Sequence, residues 1–130
     1  MVSSKKAKIL VVDDVARNLS MIEAILTPHG YEVVVAHNGL EAVEIARNQR
    51  PDLILLDILM PDMDGFTACS KIKSDENTKT IPIVIVTAVA HEQNKEFTKE
   101  LGADGFVAKP FMVQDLLNVI DEYLHASQNS

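Results

Sequence analysis

Cysteine is nearly absent from this chain: Cys69 is the only one in 130 residues. That excludes an internal disulfide and any cysteine-built metal site. Cys69 itself reads as a small buried hydrophobe on a helix. Glycine is sparse as well, with five in all, and none falls into a dinucleotide-binding fingerprint or a P-loop. Long apolar runs are missing. The one cationic cluster, Lys5, Lys6 and Lys8, is followed by only four apolar residues before Asp13, too few for a signal peptide or a membrane anchor. No membrane association is therefore expected, and the natural location is cytoplasmic. Positive charge is in deficit too: 12 Lys and Arg face 19 Asp and Glu, a net charge of −7. Nucleic-acid affinity comes mainly from clustered cations, so no nucleic-acid partner is expected. The four histidines, His29, His37, His91 and His125, are scattered without ligand spacing and receive no role. With no internal repeat or low-complexity tract, the length fits one compact domain.

What the chain does have is a set of short apolar runs that each stop at a polar residue. Ile9 to Val12 runs into Asp13 and Asp14, Leu53 to Leu56 into Asp57, and Ile83 to Val86 into Thr87. A further run, Phe106 to Ala108, stops at Lys109 and Pro110. If these runs are parallel strands, their carboxyl ends share one rim, where open α/β sheets bind ligands. Three carboxylates, one hydroxyl and one ammonium would then meet there.

Between the runs the spacing is helical. Leu19, Ile22 and Leu26, with Val15 one turn earlier, predict a first helix that Pro28, His29 and Gly30 stop. Tyr31 to Ala36 reads as a second strand, and Leu40, Val43 and Ala46 as a second helix ending near Pro51. Asp64 is placed to cap a third helix carrying Phe66, Cys69 and Ile72, with Ser74 to Thr80 as its exit loop. A fourth helix, thinly apolar around Phe97 and Leu101, would end at Gly102. The fifth has Val113, Leu117, Ile120 and Leu124 beside a second stripe of Met112, Leu116, Val119 and Tyr123. Five strand-helix units in alternation imply an α/β domain with a doubly wound, five-stranded parallel sheet. Runs one, three and four are almost wholly apolar, while run two carries Glu32 and run five is short, so strands two and five are expected at the edges.

Each polar residue also has an ordinary structural reading. Asp13 could simply end a strand while Asp14 caps the first helix. Asp57 could be a turn residue, as Asp62 and Asp64 are better read, Thr87 a β-branched strand residue, and Lys109 a solvated cation. Together they argue for more. Carboxylates about 4 Å apart repel by about 4 kcal/mol per pair at an effective dielectric of about 20, and a hard divalent cation such as Mg2+ would offset that. Asp57 is then the nucleophile, since a carboxylate can attack phosphorus. Lys109 supplies the counter-charge, and the Thr87 hydroxyl and the Ala88 backbone N–H supply donors.

On these residues the chain resembles the receiver domains of two-component response regulators, over about residues 7–124. The matching segments are Asp13-Asp14 after Val11-Val12, Leu55-Leu56-Asp57 through Pro61-Asp62-Met63-Asp64-Gly65, Thr87-Ala88 and Lys109-Pro110. The resemblance implies a flavodoxin-like (βα)5 fold with strand order 2-1-3-4-5. It implies that Asp57 accepts a phosphoryl group from a phosphohistidine of a histidine kinase or histidine phosphotransfer protein. Asp13, Asp14, Asp57 and the Leu59 backbone carbonyl would hold Mg2+, and Thr87 and Lys109 would contact the phosphoryl group. Thr87 and Phe106 would form the switch; Phe106 stands where the family often has a tyrosine. Asn18 and Ile81-Pro82-Ile83 are similar to receivers attached to hybrid histidine kinases or diguanylate cyclases. Residues 1–6 are expected to be disordered and 125–130 to form a polar tail.

Such a domain is a signalling module, not an enzyme, beyond catalysing its own phosphoryl transfer and dephosphorylation. Its output would leave through the fourth helix, fifth strand and fifth helix toward a downstream protein or domain. Leu59 and Val89, two residues beyond Asp57 and Thr87, are apolar and offer nothing to orient a hydrolytic water. The alternatives fit less well. A haloacid-dehalogenase-type phosphatase wants an Asp where Leu59 stands, and a flavodoxin-type flavin carrier needs a phosphate-cradling loop where Asp13-Asp14-Val15-Ala16 stands. A pseudo-receiver docking module remains the rival, and would not need all the site residues intact.

Overall fold

A computed structural model of the chain describes residues 6–57, 65–87, 102–108 and 111–128. Five short strands, β1 (Lys8–Val12), β2 (Glu32–Ala36), β3 (Leu53–Leu56), β4 (Ile83–Thr87) and β5 (Gly105–Ala108), make one sheet in the order β2-β1-β3-β4-β5. Every pairing is parallel, and Val12 lies opposite Ala36 on one side and Leu56 on the other. The expected edges are therefore the observed ones. Composition explains them: β3 is buried at all four positions, whereas β2 starts with exposed Glu32 and is half-buried over Val33–Val35. A strand with helices on both faces has no wet side, so it reads as continuous Val, Ile and Leu.

Alternation along the strands divides these residues between two cores. On one face Leu10, Val12, Ile54, Leu56, Ile83 and Ile85 pack with helices α2 (Gly39–Gln49) and α3 (Gly65–Ser74). On the other, Ile9, Val11, Leu53, Leu55, Val84 and Val86 pack with α1 (Ala16–Leu26) and the C-terminal helix (Val113–Gln128). Helix α1 buries Leu19, Ile22 and Leu26 as its spacing requires, and α2 buries Ala42, Val43 and Ala46. A 3-10 turn at Thr27–His29 follows α1. Gly30 closes it at φ 89°, a left-handed conformation that glycine adopts without a Cβ penalty. The expected fourth helix lies outside the described residues, as do Asp62 and Asp64. No described helix is long and apolar enough to cross a membrane.

Several apolar positions depart from the periodic expectation. Val15, Leu40, Met112 and Val113 are all exposed, Met112 by 71%. Val15, Met112 and Val113 stand at or just before the first residue of a helix, and Leu40 lies off the buried line of Gly39, Ala42, Val43 and Ala46. The two stripes expected on the fifth helix are likewise recast: Leu116, Ile120 and Leu124 form the buried line, with Leu117, Val119 and Tyr123 half-buried beside it. Helical backbone continues to Gln128, past Leu124, where the apolar stripe stops.

The segment Ser74–Thr80 is more than an exit loop. Thr78 is 1% exposed, and its hydroxyl donates to the Ile72 carbonyl at 2.7 Å, satisfying a backbone group left over at the end of α3. Beside it the Lys73 ammonium reaches Asp104 Oδ2 and the Ile81 carbonyl, each at 2.8 Å. Asp104 Oδ2 also accepts the Ile83 N–H. From the opposite face the Tyr123 hydroxyl donates to the Asp104 carbonyl at 2.6 Å. The amino-terminal end of β4 and β5 is thus pinned by helices from both sides.

Candidate functional site

The site starts from where β1 and β3 stop. Because Val12 and Leu56 are register partners in neighbouring strands, Asp13 and Asp57 emerge side by side at the next rung. The Asp57 N–H donates to the Val12 carbonyl at 3.0 Å, and the Asp13 N–H to the Ala36 carbonyl at 3.2 Å. Strand order explains the juxtaposition. The chain leaves β1 for β2 on one side and returns to β3 on the other, so the crevice between their ends is the switch point of the sheet.

Burial separates the acidic pair. Asp13 is 2% exposed and Asp57 8%, while Asp14 is exposed. Asp13 has hydrogen-bond donors at both oxygens: Oδ1 accepts the Val15 N–H at 2.9 Å and Oδ2 the Asn18 side-chain amide at 3.1 Å. The ordinary reading of Asp14 as a helix cap is thereby corrected. The N-cap of α1 is Val15, without a side-chain cap, and the local backbone donor is taken by Asp13. Asn18 is the residue whose part in the site the spacing did not reveal. It lies five positions after Asp13, in the first turn of α1, and only the return of the helix over the strand end brings the two together.

The other expected site residues are described unevenly. Thr87 ends β4 opposite Ala108 at the end of β5, so both chain segments reach the same rim. Phe106 is half-buried opposite Ile85 and packs against the α2 and α3 core. Leu59, Ala88, Val89, Lys109 and Pro110 lie outside the described residues. At the β2 end of the rim, His37 donates its backbone N–H to Glu41 Oε1 at 2.8 Å, and its Nδ1 is 3.1 Å from the same oxygen. These bonds, the backbone one first, hold the Glu41 carboxyl below its ordinary value. The pair serves the start of α2, where the Asn38 side chain caps the Glu41 N–H.

Among the described residues, no three His, Cys, Asp or Glu side chains already converge on one point. Mg2+ does not require three. It is ordinarily held by one or two carboxylates, with waters and other oxygens completing an octahedron. Asp13 and Asp57, both buried and issuing from adjacent strands, fit that donor set. Two like charges withdrawn from water side by side also need a positive partner.

Comparison with known proteins agrees with this fold. The family model for the response regulator receiver domain matches residues 9–121. The response regulator PleD of Caulobacter vibrioides is 46% identical over 104 residues, which are 80% of this chain but only 23% of PleD. The chain thus spans about a quarter of that relative's length. Protein PilH of Pseudomonas aeruginosa is 38% identical over 118 residues, covering 91% of this chain and 98% of PilH. Among solved structures, the receiver domain of the Pseudomonas aeruginosa sensor histidine kinase PA1611, with a magnesium ion coordinated in its active site cleft, superposes with a TM-score of 0.86. It has 34% identity and covers 93% of this chain and 99% of that one.

Proposed function

This chain belongs to the response-regulator receiver domain family, and from that premise we propose that Asp57 is its phosphoacceptor in two-component signalling. An Asp57 carboxylate oxygen attacks phosphorus on a phosphohistidine of a histidine kinase or histidine phosphotransfer protein. The new O–P bond forms as the P–N bond breaks, and the imidazole nitrogen keeps the electron pair. Asp13, Asp14, Asp57 and the Leu59 carbonyl would hold Mg2+, which would supply charge neutralisation for the arriving phosphoryl group. Lys109 supplies a fixed counter-charge, and Thr87 with the Ala88 N–H donates to the phosphoryl oxygens. The receiver catalyses only its own phosphorylation and dephosphorylation.

One observation carries the reading: two buried carboxylates at the register-paired ends of the central strands β1 and β3. A carboxylate that served only as a turn residue would gain nothing from being 8% exposed beside another that is 2% exposed. The magnesium-bearing cleft of the PA1611 receiver supports the same assignment by likeness. The location that suits this chemistry is the cytoplasm.

Signal output is assigned to the face made by the fourth helix, β5 and the C-terminal helix. On phosphorylation Thr87 is drawn toward the phosphoryl group, and Phe106 moves into the space it leaves.

The test is direct. Incubated with acetyl phosphate and Mg2+, the chain should gain the mass of one phosphoryl group, and excess chelator or Asp57→Asn should abolish the gain. An adduct that persists in Asp57→Asn rules out Asp57 as the acceptor, and one that persists in excess chelator rules out the metal requirement. Absence of any adduct in a chain that still binds a histidine kinase would favour a docking module instead.

A further inference from the structure

Asn18 takes no part in the phosphoryl chemistry above, yet its side-chain amide donates to Asp13 Oδ2 at 3.1 Å. The other oxygen of that carboxylate accepts the Val15 N–H at 2.9 Å. Both donors belong to the start of α1. The helix is fixed there by the Asn18 N–H bond to the Val15 carbonyl at 3.0 Å and by Leu19, which is 4% exposed. A carboxylate held at each oxygen by a fixed donor cannot rotate freely about its last bond. A carboxylate oxygen carries two lone pairs, so one donor at each oxygen orients the group without by itself exhausting its capacity to ligate.

We infer that Asn18 is a positioning residue for cation binding: it holds the Asp13 carboxylate in the orientation in which that group ligates Mg2+. The inference rests on Asp13 being a ligand, as proposed above. The side-chain chemistry suits the task. Lys or Arg at this position would pair with Asp13 and compete with the incoming cation, and Asp or Glu would add another negative charge to a crowded rim. A neutral amide donates without altering the charge that the cation must see. Ligating groups are commonly oriented by such outer partners, and removing one costs roughly 10–100-fold in metal affinity.

A purely structural role, bracing the entry to α1, predicts a different result, and comparing two cations separates them. Mg2+ demands near-ideal octahedral geometry, whereas Ca2+ accepts a variable, flexible shell. Loss of orientation at one ligand should therefore weaken Mg2+ more than Ca2+. The experiment measures both affinities calorimetrically for the full chain and for Asn18→Leu and Asn18→Ser, with melting temperatures in chelator alongside. Serine keeps a polar group should leucine prevent folding. The expected result is a loss of roughly tenfold or more in Mg2+ affinity in both variants, a smaller loss for Ca2+, and a narrowed ratio between them. Unchanged Mg2+ affinity, or equal losses for the two cations, overturns the positioning role while leaving the proposed function standing. A parent chain that binds no Mg2+ overturns both.

Discussion

Replacing Asp57 with asparagine should make the metal-free protein more stable, although it destroys the proposed activity. Asp13 and Asp57 follow register partners on adjacent strands, so they leave the ladder about 4.8 Å apart. Carboxylates held at the strand spacing would repel by about 3.5 kcal/mol at an effective dielectric of about 20. The substituted side chain would keep the shape of the carboxylate and remove its charge. Lys109, assigned as the counter-charge, loses its partner and takes back part of the gain, which leaves roughly 1–2 kcal/mol. For a chain of this length that is a rise of roughly 4–8 °C in melting temperature. Thermal and urea unfolding followed by circular dichroism in chelator would measure it. Adding Mg2+ supplies the second half of the test. A ligand at about 100 times its Kd stabilises by about 2.7 kcal/mol, and the parent chain should receive more of this than Asp57→Asn, which lacks one ligand. The difference between the two proteins should shrink or reverse. An Asp57→Asn variant that is less stable in chelator, or a difference indifferent to Mg2+, would refute the charge-cluster reasoning.

Four further outcomes are expected. Leu59→Asn with Val89→Glu should speed loss of the phosphoryl group from Asp57, because the polar side chains can orient a water where apolar ones shield; unchanged or slower decay by phosphoprotein assay would contradict this. Gly105→Ala would place a Cβ 2.7 Å from the Tyr123 ring, so it should lower stability by about 1–3 kcal/mol in urea unfolding, and by clearly less in a Tyr123→Ala background. Burial pushes the Cys69 thiol up to about 11 from an ordinary 9.0; the folded state then keeps a proton that the unfolded chain releases, so its contribution is complete below about pH 9 and is lost, by about 3 kcal/mol in all, as pH rises toward 11. Comparing unfolding free energies with Cys69→Ala across that window tests the sign. Finally, a beryllofluoride phosphate mimic should change amide exchange mainly in residues 90–120, outside the site loops; changes confined to α1 and α2 would place the output face elsewhere.

Strand identity and order were legible because burial on both faces leaves a plain trace: runs such as Leu53–Leu56 have no polar interruption, and Glu32 betrays an edge. Asp13 and Asp57 were legible for a related reason, since a carboxylate directly after a buried strand must lie at the rim. Helix starts were not. Val15 and Val113 keep the phase of the buried lines of their helices yet are exposed, whereas Leu40 lies beside the line of Gly39, Ala42, Val43 and Ala46, and spacing alone does not separate the two cases. Polar contacts within the core were hidden too. Thr78 is buried because its hydroxyl satisfies the Ile72 carbonyl, and Asn18 matters through one amide contact across a turn. Neither leaves a period in the sequence.

The two faces of β5 bear on how a signal could leave the site. Phe106 packs with the α2 and α3 core, whereas Val107 packs with the C-terminal helix and Gly105 lies against Tyr123 on that helix. Displacing Phe106 would therefore act first on the face opposite the C-terminal helix. The C-terminal helix is also secured at the far end of the strand. Tyr123 bonds to the Asp104 carbonyl, Gly105 leaves room for its ring, and Leu116, Ile120 and Leu124 fill the core along its length. Sliding that helix would break all of these contacts together, at well over the roughly 1 kcal/mol that a single hydrogen bond contributes. Its exposed apolar residues are instead at the rim end, Met112 and Val113, next to the segment that carries Lys109. A phosphoryl group held by Lys109 would thus be felt at the start of the helix rather than along it. On the proposed mechanism, the output face changes shape at its Phe106 side and at its rim, while the buried line of the C-terminal helix stays in place as the support against which both move.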